Sequence, residues 1–202
     1  MKIKAIETFY NGYKFRSRLE ARWAVFFDHI GIKYLYEPEG YKMSDGTMYL
    51  PDFYLPESDS FFEVKGVMTD IDRHKIEQFI KESNKAVTIG YDDFRFEACD
   101  FWMEPVEEIS EGVYNTVEWP GSPQNSYASL CVCRKCGKKW FMGMYGIFTC
   151  RCCGEYSGDQ HFYEILNGNN GEPEYQDVEE AIKAAKQARF EHGETPAVPK
   201  QV

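Results

Sequence analysis

The sequence predicts an α/β fold: a mixed central sheet with flanking helices, then a small cysteine-rich module and a C-terminal helix. Three observations predict it. From Ser17 to Gly90 the apolar pattern switches between helical and strand periods, in the order helix, three strands, helix, strand. Six of the seven cysteines fall between Cys131 and Cys153. A last apolar stripe at helical spacing, Val178, Ala181, Ile182 and Ala185, marks a helix over Asp177–Glu191.

Residues 1–16 read as a short strand or arm, turned at Asn11-Gly12. Ser17 to Ile30 is a helix with Leu19, Trp23, Phe26, Phe27 and Ile30 on one face, stopped by Gly31. Ile32–Tyr36 is a short strand, and Asp45-Gly46 turns the loop that follows. Met48–Leu55 and Phe61–Lys65 are aromatic strands that carry charges. Asp70–Ser83 is the second helix, with Ile71, Ile76, Phe79 and Ile80 as its apolar side and Asp70 as a candidate cap. Lys85–Gly90 is a strand, and a helix joining two strands is the usual route to a parallel pair, which makes the sheet mixed. Tyr91–Ser129 is aromatic and acidic and is interrupted by Pro105, Pro120 and Pro123, so irregular structure is expected there. The domain reading is a core over 1–95, a connecting region over 96–129, the cysteine module over 130–165, a helix over 175–192 and a tail over 193–202. No internal repeat is seen.

Composition narrows the function classes. At 202 residues, 43% hydrophobic and 16% aromatic, the chain can bury a sizeable core, so disorder is not the default. A formal net charge of -10 argues against an indiscriminate polyphosphate binder, yet charge segregated locally leaves a nucleic-acid enzyme open. Met1 to Glu7 has no long apolar stretch and no run is long enough to span a bilayer, so the expectation is a cytoplasmic protein with no membrane partner. Clustered cysteines in such a chain read as metal ligands rather than disulfides.

The charges in the aromatic strands carry the chemistry. Strand alternation points Glu63 and Lys65 the same way, and a hairpin would lay Asp52 beside Glu63. Charges in apolar company are paired or bind a metal. Hydrolysis of a phosphodiester needs a divalent metal, and magnesium takes carboxylate oxygens while keeping several waters. Asp52 and Glu63 can supply the carboxylates and the Val64 carbonyl a neutral oxygen. Lys65 can position the attacking water and stabilise developing negative charge. The bland alternative is a surface hairpin with a cross-strand ion pair.

Pro51-Asp52, a ten-residue gap, then Glu63-Val64-Lys65 resembles the motif of the PD-(D/E)XK nuclease superfamily. Ser17-Arg18-Leu19-Glu20 and Tyr49-Leu50-Pro51-Asp52-Phe53 look most like TnsA-type and phage-encoded members. The resemblance covers roughly residues 7–90 and implies a restriction-endonuclease-like αβββαβ core. It implies a Mg2+- or Mn2+-dependent deoxyribonuclease that leaves 5′-phosphate ends, with Asp52 and Glu63 as metal ligands, Lys65 as the catalytic lysine and Glu20 as a glutamate reaching the metal through water. Ser17-x-x-Glu20 is equally the spacing of a capping box. The resemblance also makes Lys75 a candidate phosphate contact in a second helix opened by Arg73 and His74. Glu37 and Glu39 compete with Glu20 for the metal role, against the reading of both as a solvated loop face.

Cys133-x-x-Cys136-Gly137 and Cys150-x-x-Cys153-Gly154 are two knuckles with thirteen residues between Cys136 and Cys150. They supply four thiolates to a tetrahedral ion, and the module resembles a zinc ribbon with structural Zn2+. Cys131 and Cys152 are spare thiols, and Cys99 reads as a small apolar residue. Arg134, Lys135, Lys138, Lys139 and Arg151 form a basic cluster interleaved with Trp140, Phe141, Tyr145 and Phe148, a composition suited to DNA. Most of these rings are expected to fill the ribbon's own core. The reading is therefore a metal-dependent DNA endonuclease docked by its ribbon, acting on a junction, flap, duplex site or single strand. Phage or mobile-element recombination, repair or genome processing is the setting the resemblance suggests, in the host cytoplasm if the chain is phage-encoded. Related nucleases often act as homodimers. The alternatives are a catalytically silent nuclease-fold binding protein whose ribbon engages nucleic acid or a protein, and an RNA nuclease.

Overall fold

A computed structural model describes residues 6–99, 101–110, 113–120, 128–143, 148–150, 152–154, 156–157, 162–168, 170–190, 194 and 196–199. For 98–110, 113–120, 143, 148–149 and 156–157 it describes the backbone alone. The chain opens with a hairpin, β1 (Thr8–Tyr10) and β2 (Tyr13–Phe15), whose two-residue turn uses Asn11 at φ 43 and Gly12 at φ 81. Both φ angles are positive, as this tight turn requires.

Helix α1 (Arg18–Ile30) starts at Ser17, whose side chain accepts the Glu20 N–H, and stops at left-handed Gly31. Its buried surface is wider than one apolar face: Ala21, Ala24, Val25 and Asp28 are buried with Trp23, Phe26, Phe27 and Ile30. There are two further neighbours. The β1–β2 turn and Tyr34 cover Asp28, with Asn11 Nδ2 donating to its Oδ2 at 3.1 Å. Helix α3 (Gln176–Gln187) packs against α1 and buries Val178, Ala181, Ile182 and Ala185.

The main sheet has the order β3-β6-β7-β8-β9, formed by β3 (Leu35–Tyr36), β6 (Phe53–Leu55), β7 (Ser60–Val64), β8 (Val87–Gly90) and β9 (Phe96–Cys99). β7 and β8 are parallel and joined by α2 (Asp70–Ser83), while the other neighbours are antiparallel. The sheet is therefore mixed, and α1, three strands, α2 and β8 follow one another as the periodicity predicts. An extra hairpin, β4 (Tyr41–Lys42) with β5 (Met48–Tyr49), lies between β3 and β6. The expected continuous strand over Met48–Leu55 is thus two short ones, with Leu50–Asp52 bending between them. At that bend the Asp52 N–H turns to the Glu63 side chain, while its carbonyl still accepts the Glu37 N–H.

Helix α2 is capped by Thr69 rather than Asp70, in a capping box with Asp72. Its apolar side is Ile76, Phe79 and Ile80, while Ile71 in the first turn is exposed. Under β7, Gly90 leaves the space that the Phe62 and Trp23 rings occupy: a Cβ there would stand 2.4 Å from Phe62 and 2.8 Å from Trp23.

The expectation of irregular structure over 91–129 is corrected. β9 turns back on β8, and β10 (Phe101–Ser110) pairs with β11 (Val113–Pro120) as an antiparallel hairpin. Pro105 is tolerated because the register shifts immediately after it, and Pro120 is tolerated because it ends its strand. Pro123 lies outside the described residues.

The cysteine module comprises β12 (Ala128–Cys133), β13 (Lys139–Gly143), β14 (Phe148–Thr149), β15 (Tyr156–Ser157) and β16 (Phe162–Asn167). β12 lies centrally between β13 and β16, and β14 pairs with β15. Packing continues across the expected boundaries at 95 and 130. One apolar cluster joins Trp23, Phe27, Phe53, Phe62, Phe96, Leu130, Leu166 and Ala185. Phe141 of β13 packs on Phe27, Phe62 and Phe96, with ring centroids 5.1 Å from Phe62 and 5.0 Å from Phe96. Among the described residues, no helix is long and apolar enough to cross a membrane.

Candidate functional site

The carboxylate site lies where β6 begins and β7 ends. Phe53 pairs with Phe62, so Asp52 stands opposite Glu63 one step further along the ladder. The ladder turns Phe53 and Phe62 toward α1, and alternation turns Glu63 and Lys65 toward α2. Asp52 is 3% exposed and Glu63 is 3% exposed. The Asp52 N–H donates to Glu63 Oε2 at 3.3 Å, and the Val64 N–H donates to Asp52 Oδ2 at 2.8 Å. The N–H and C=O of one strand residue face the same edge, so the Val64 carbonyl belongs to the Asp52 side of β7.

Lys65 Nζ is 2.6 Å from Glu63 Oε1 and 3.6 Å from Asp72 Oδ1. Burial pulls the Lys65 ammonium toward neutrality, but Glu63, then Asp52 and Asp72, outweigh it and raise its pKa above that of ordinary lysine. It is a fixed positive charge at neutral pH. Asp52 is pushed well above the usual carboxylate range by burial first, then by the Glu63 and Glu20 charges; the Val64 N–H and Lys65 oppose this. Acids crowded in this way favour either a proton or a cation.

Glu20 reaches the same end of the sheet from α1 and also holds the residues before the helix, though without completing a capping box with Ser17. Its Oε1 accepts from Ser17 Oγ at 2.7 Å, while Oε2 accepts from Tyr36 Oη at 2.5 Å and from the Arg16 N–H at 3.1 Å. Tyr49 Oη donates to Glu63 Oε2 at 2.9 Å. Arg16 Nη2 lies 3.0 Å from Asp52 Oδ1, and its Nε pairs with Glu37. Arg16, Tyr36, Tyr49 and Asp72 carry no short-range signal that sequence reading used. Glu37 is a part of the site, not a solvated loop residue: it is half-buried, with φ 43, and its N–H donates to the Asp52 carbonyl at 2.9 Å. Lys75 lies on α2 one turn beyond Asp72, half-buried. A cavity of about 680 Å³ opens elsewhere, lined by Tyr41, Tyr54, Phe61 and Phe79, and holds none of these residues.

Carboxylate and carbonyl oxygens are the donor types a hard cation such as magnesium takes; here Arg16 lies on Asp52 Oδ1 and Lys65 on Glu63 Oε1.

The second site is the cysteine cluster. Cys133, Cys136, Cys150 and Cys153 have sulfurs all within 4.8 Å of one another. Cys133 Sγ is 3.7 Å from Cys153 Sγ, and Cys136 Sγ is 3.5 Å from Cys150 Sγ. Tetrahedral zinc with Zn–S of about 2.3 Å separates its sulfurs by about 3.8 Å. The four sulfurs can therefore hold a metal such as zinc. Gly137 at φ 71 and Gly154 at φ 70 close the two turns, their N–H groups donating to the Cys133 and Cys150 carbonyls at 2.9 and 2.8 Å. Burial raises the Cys133 thiol, but the Cys136 and Lys135 N–H groups outweigh it and bring it down to about 6. Trp140 is buried with Cys133 and Cys150.

The basic cluster divides. Lys138 pairs with Glu57 of the β6–β7 turn, which Lys33 also approaches at 3.6 Å. The Arg134 guanidinium lies over the Tyr163 ring at 5.0 Å. Lys135 is exposed and Lys139 half-buried. Arg151 and Tyr145 lie outside the described residues, and Phe148 is described by its backbone alone. The spare thiol of Cys131 is buried on β12, where burial and then Glu164 push it up to about 12; Cys152 is exposed. No family model, curated protein or solved structure matches the chain.

Proposed function

We propose that this chain is a metal-dependent DNA endonuclease of the PD-(D/E)XK type, with a structural zinc in its cysteine knuckles. The observation that carries the reading is the convergence of Asp52, Glu63 and Lys65: two buried carboxylates on facing strands, and an ammonium 2.6 Å from one of them. Bound Mg2+ or Mn2+ would polarise a phosphodiester and acidify a water. Asp52 and Glu63 would hold the ion, with the Val64 carbonyl beside them. Lys65, charged and oriented by Glu63 and Asp72, directs the attacking water and offsets charge developing on phosphate. Glu20 fixes the start of α1 against Tyr36 and keeps negative charge near Asp52. Lys139 is the basic residue of the first knuckle best suited to meet DNA.

Purified protein incubated with duplex, branched and single-stranded DNA, and with RNA in parallel, should cut DNA with Mg2+ or Mn2+ and not with EDTA. Asp52→Ala and Lys65→Ala should each lower cutting by at least on the order of 100-fold. Metal-dependent cutting that persists in both variants would remove this site from the chemistry.

A second reading has one observation in its favour: Arg16 already sets a cation on Asp52 Oδ1, at 3.0 Å. A silent binding protein could keep that pair permanently. Such a protein would bind DNA without cutting any substrate.

A further inference from the structure

Resting on the nuclease reading, we infer that Arg16 is the site's phosphate-gripping arm, held on Asp52 until a divalent cation takes its place. Asp52 Oδ2 is committed to the Val64 N–H at 2.8 Å, which leaves Oδ1 for an ion. Arg16 Nη2 sits on that oxygen at 3.0 Å. A guanidinium and a divalent cation on one carboxylate oxygen repel each other, so the two compete for it.

The displaced arm stays at the site mouth because it is tethered twice. Its main-chain N–H donates to Glu20 Oε2 at 3.1 Å and to Tyr36 Oη at 3.0 Å. Its Nε pairs with Glu37. Glu37 is itself fixed: its φ is 43, a left-handed value uncommon for glutamate, and its N–H donates to the Asp52 carbonyl at 2.9 Å. Arg16's side chain is 55% exposed while that of Asp52 is 5% exposed, so the guanidinium spans from the buried acid to solvent. Released from Asp52, it presents a planar fork of donors that suits a phosphate bound beside the ion.

The test compares wild type with Arg16→Ala and Arg16→Lys, all checked for folding by thermal unfolding. Calorimetric titration of Mn2+ into the protein without DNA should give about fivefold tighter binding in Arg16→Ala, the effect of losing a competing half-exposed ion pair. In Ca2+, Arg16→Ala should bind a short DNA duplex about tenfold more weakly, and its salt dependence should flatten by about one ion. In EDTA the two proteins should bind that duplex alike, because the arm is then engaged with Asp52. Arg16→Lys should restore the salt slope but only part of the cutting rate. Mn2+ affinity that falls in Arg16→Ala, or DNA affinity that is unchanged in Ca2+, would overturn the inference. Wild type that cuts nothing would defeat the nuclease reading alone, since the Mn2+ titrations answer separately for the exchange at Asp52.

Discussion

The two candidate metal centres are built in opposite ways. The cysteine centre comes from two turns, Cys133–Gly137 and Cys150–Gly154, each complete within five residues and closed by its own backbone hydrogen bond. The carboxylate centre is drawn from distant parts of the chain: Arg16 before α1, Glu20 within it, Glu37 after β3, the β6–β7 pair, and Asp72 on α2. The sulfurs stand at the spacing a tetrahedral ion would impose. The carboxylates stand at spacings set by cations and amides that the chain itself supplies. The difference suggests that an ion at the first centre is a cross-link, whereas at the second it is an exchangeable ligand that competes with Arg16.

The largest effect expected from this contrast is at the cysteines. Elemental analysis should find about one zinc per chain, one ion for four thiolates. Cys150→Ser should lose it and lower the melting temperature by at least on the order of 10 °C, because structural zinc contributes directly to folding. Cutting should fall too, since Phe141 on β13 packs against Phe62, the residue before Glu63. Brief EDTA treatment that strips only the carboxylate ion should be reversed by Mg2+ without any loss of melting temperature. A folded wild-type protein free of zinc would erase the contrast between cross-link and ligand.

The next effect is at Asp52, and its sign is opposite. Burial, then the Glu63 and Glu20 charges, raise the folded pKa of Asp52 well above its ordinary value, so ionising it costs more in the native state than in the unfolded chain. Stability in metal-free protein is then full below about pH 3.9, where both states are protonated, and falls as pH rises through the folded pKa. Asp52→Asn removes that penalty. The variant should melt higher than metal-free wild type at pH 7, and the gap should close as pH is lowered toward 4. Added Mn2+ should raise the wild-type melting temperature and leave the variant's unchanged. A variant that melts below wild type at pH 7 would mean that Arg16 and the Val64 N–H already stabilise the ionised acid.

How much could be read in advance follows the same division. The knuckles were legible because cysteine spacing and glycine position are local. Asp52, Glu63 and Lys65 were legible because strand alternation and a hairpin suffice to bring them together. Glu20 was legible as a spacing with two readings, and its oxygens serve both the helix start and Tyr36. Arg16, Glu37, Tyr49 and Asp72 were not, because each joins the site only through long-range packing. The signal available for Arg16 was weak: it is one of three cations, with Lys14 and Arg18, around Ser17. The β10–β11 hairpin was hidden by its prolines, which count against a strand until a register shift accommodates one of them. The breadth of burial around α1 was hidden in part because α3, one of its neighbours, lies far along the chain.

The smallest effect expected separates the two kinds of lysine on the knuckle. Lys138 looked like a DNA contact because of its basic neighbours, but it pairs with Glu57, and the two side chains are 36% and 25% exposed. A pair so open to water contributes about 0–1 kcal/mol. Lys138→Gln should therefore shift unfolding by less than about 1 kcal/mol and leave duplex affinity within about twofold, since its charge is already matched. Lys139→Gln should weaken duplex binding and flatten its salt dependence. Titrating the two variants at two salt concentrations distinguishes the outcomes. If Lys138→Gln weakens binding as much as Lys139→Gln, DNA draws Lys138 off Glu57, and the link between knuckle and β6–β7 turn is broken when substrate binds.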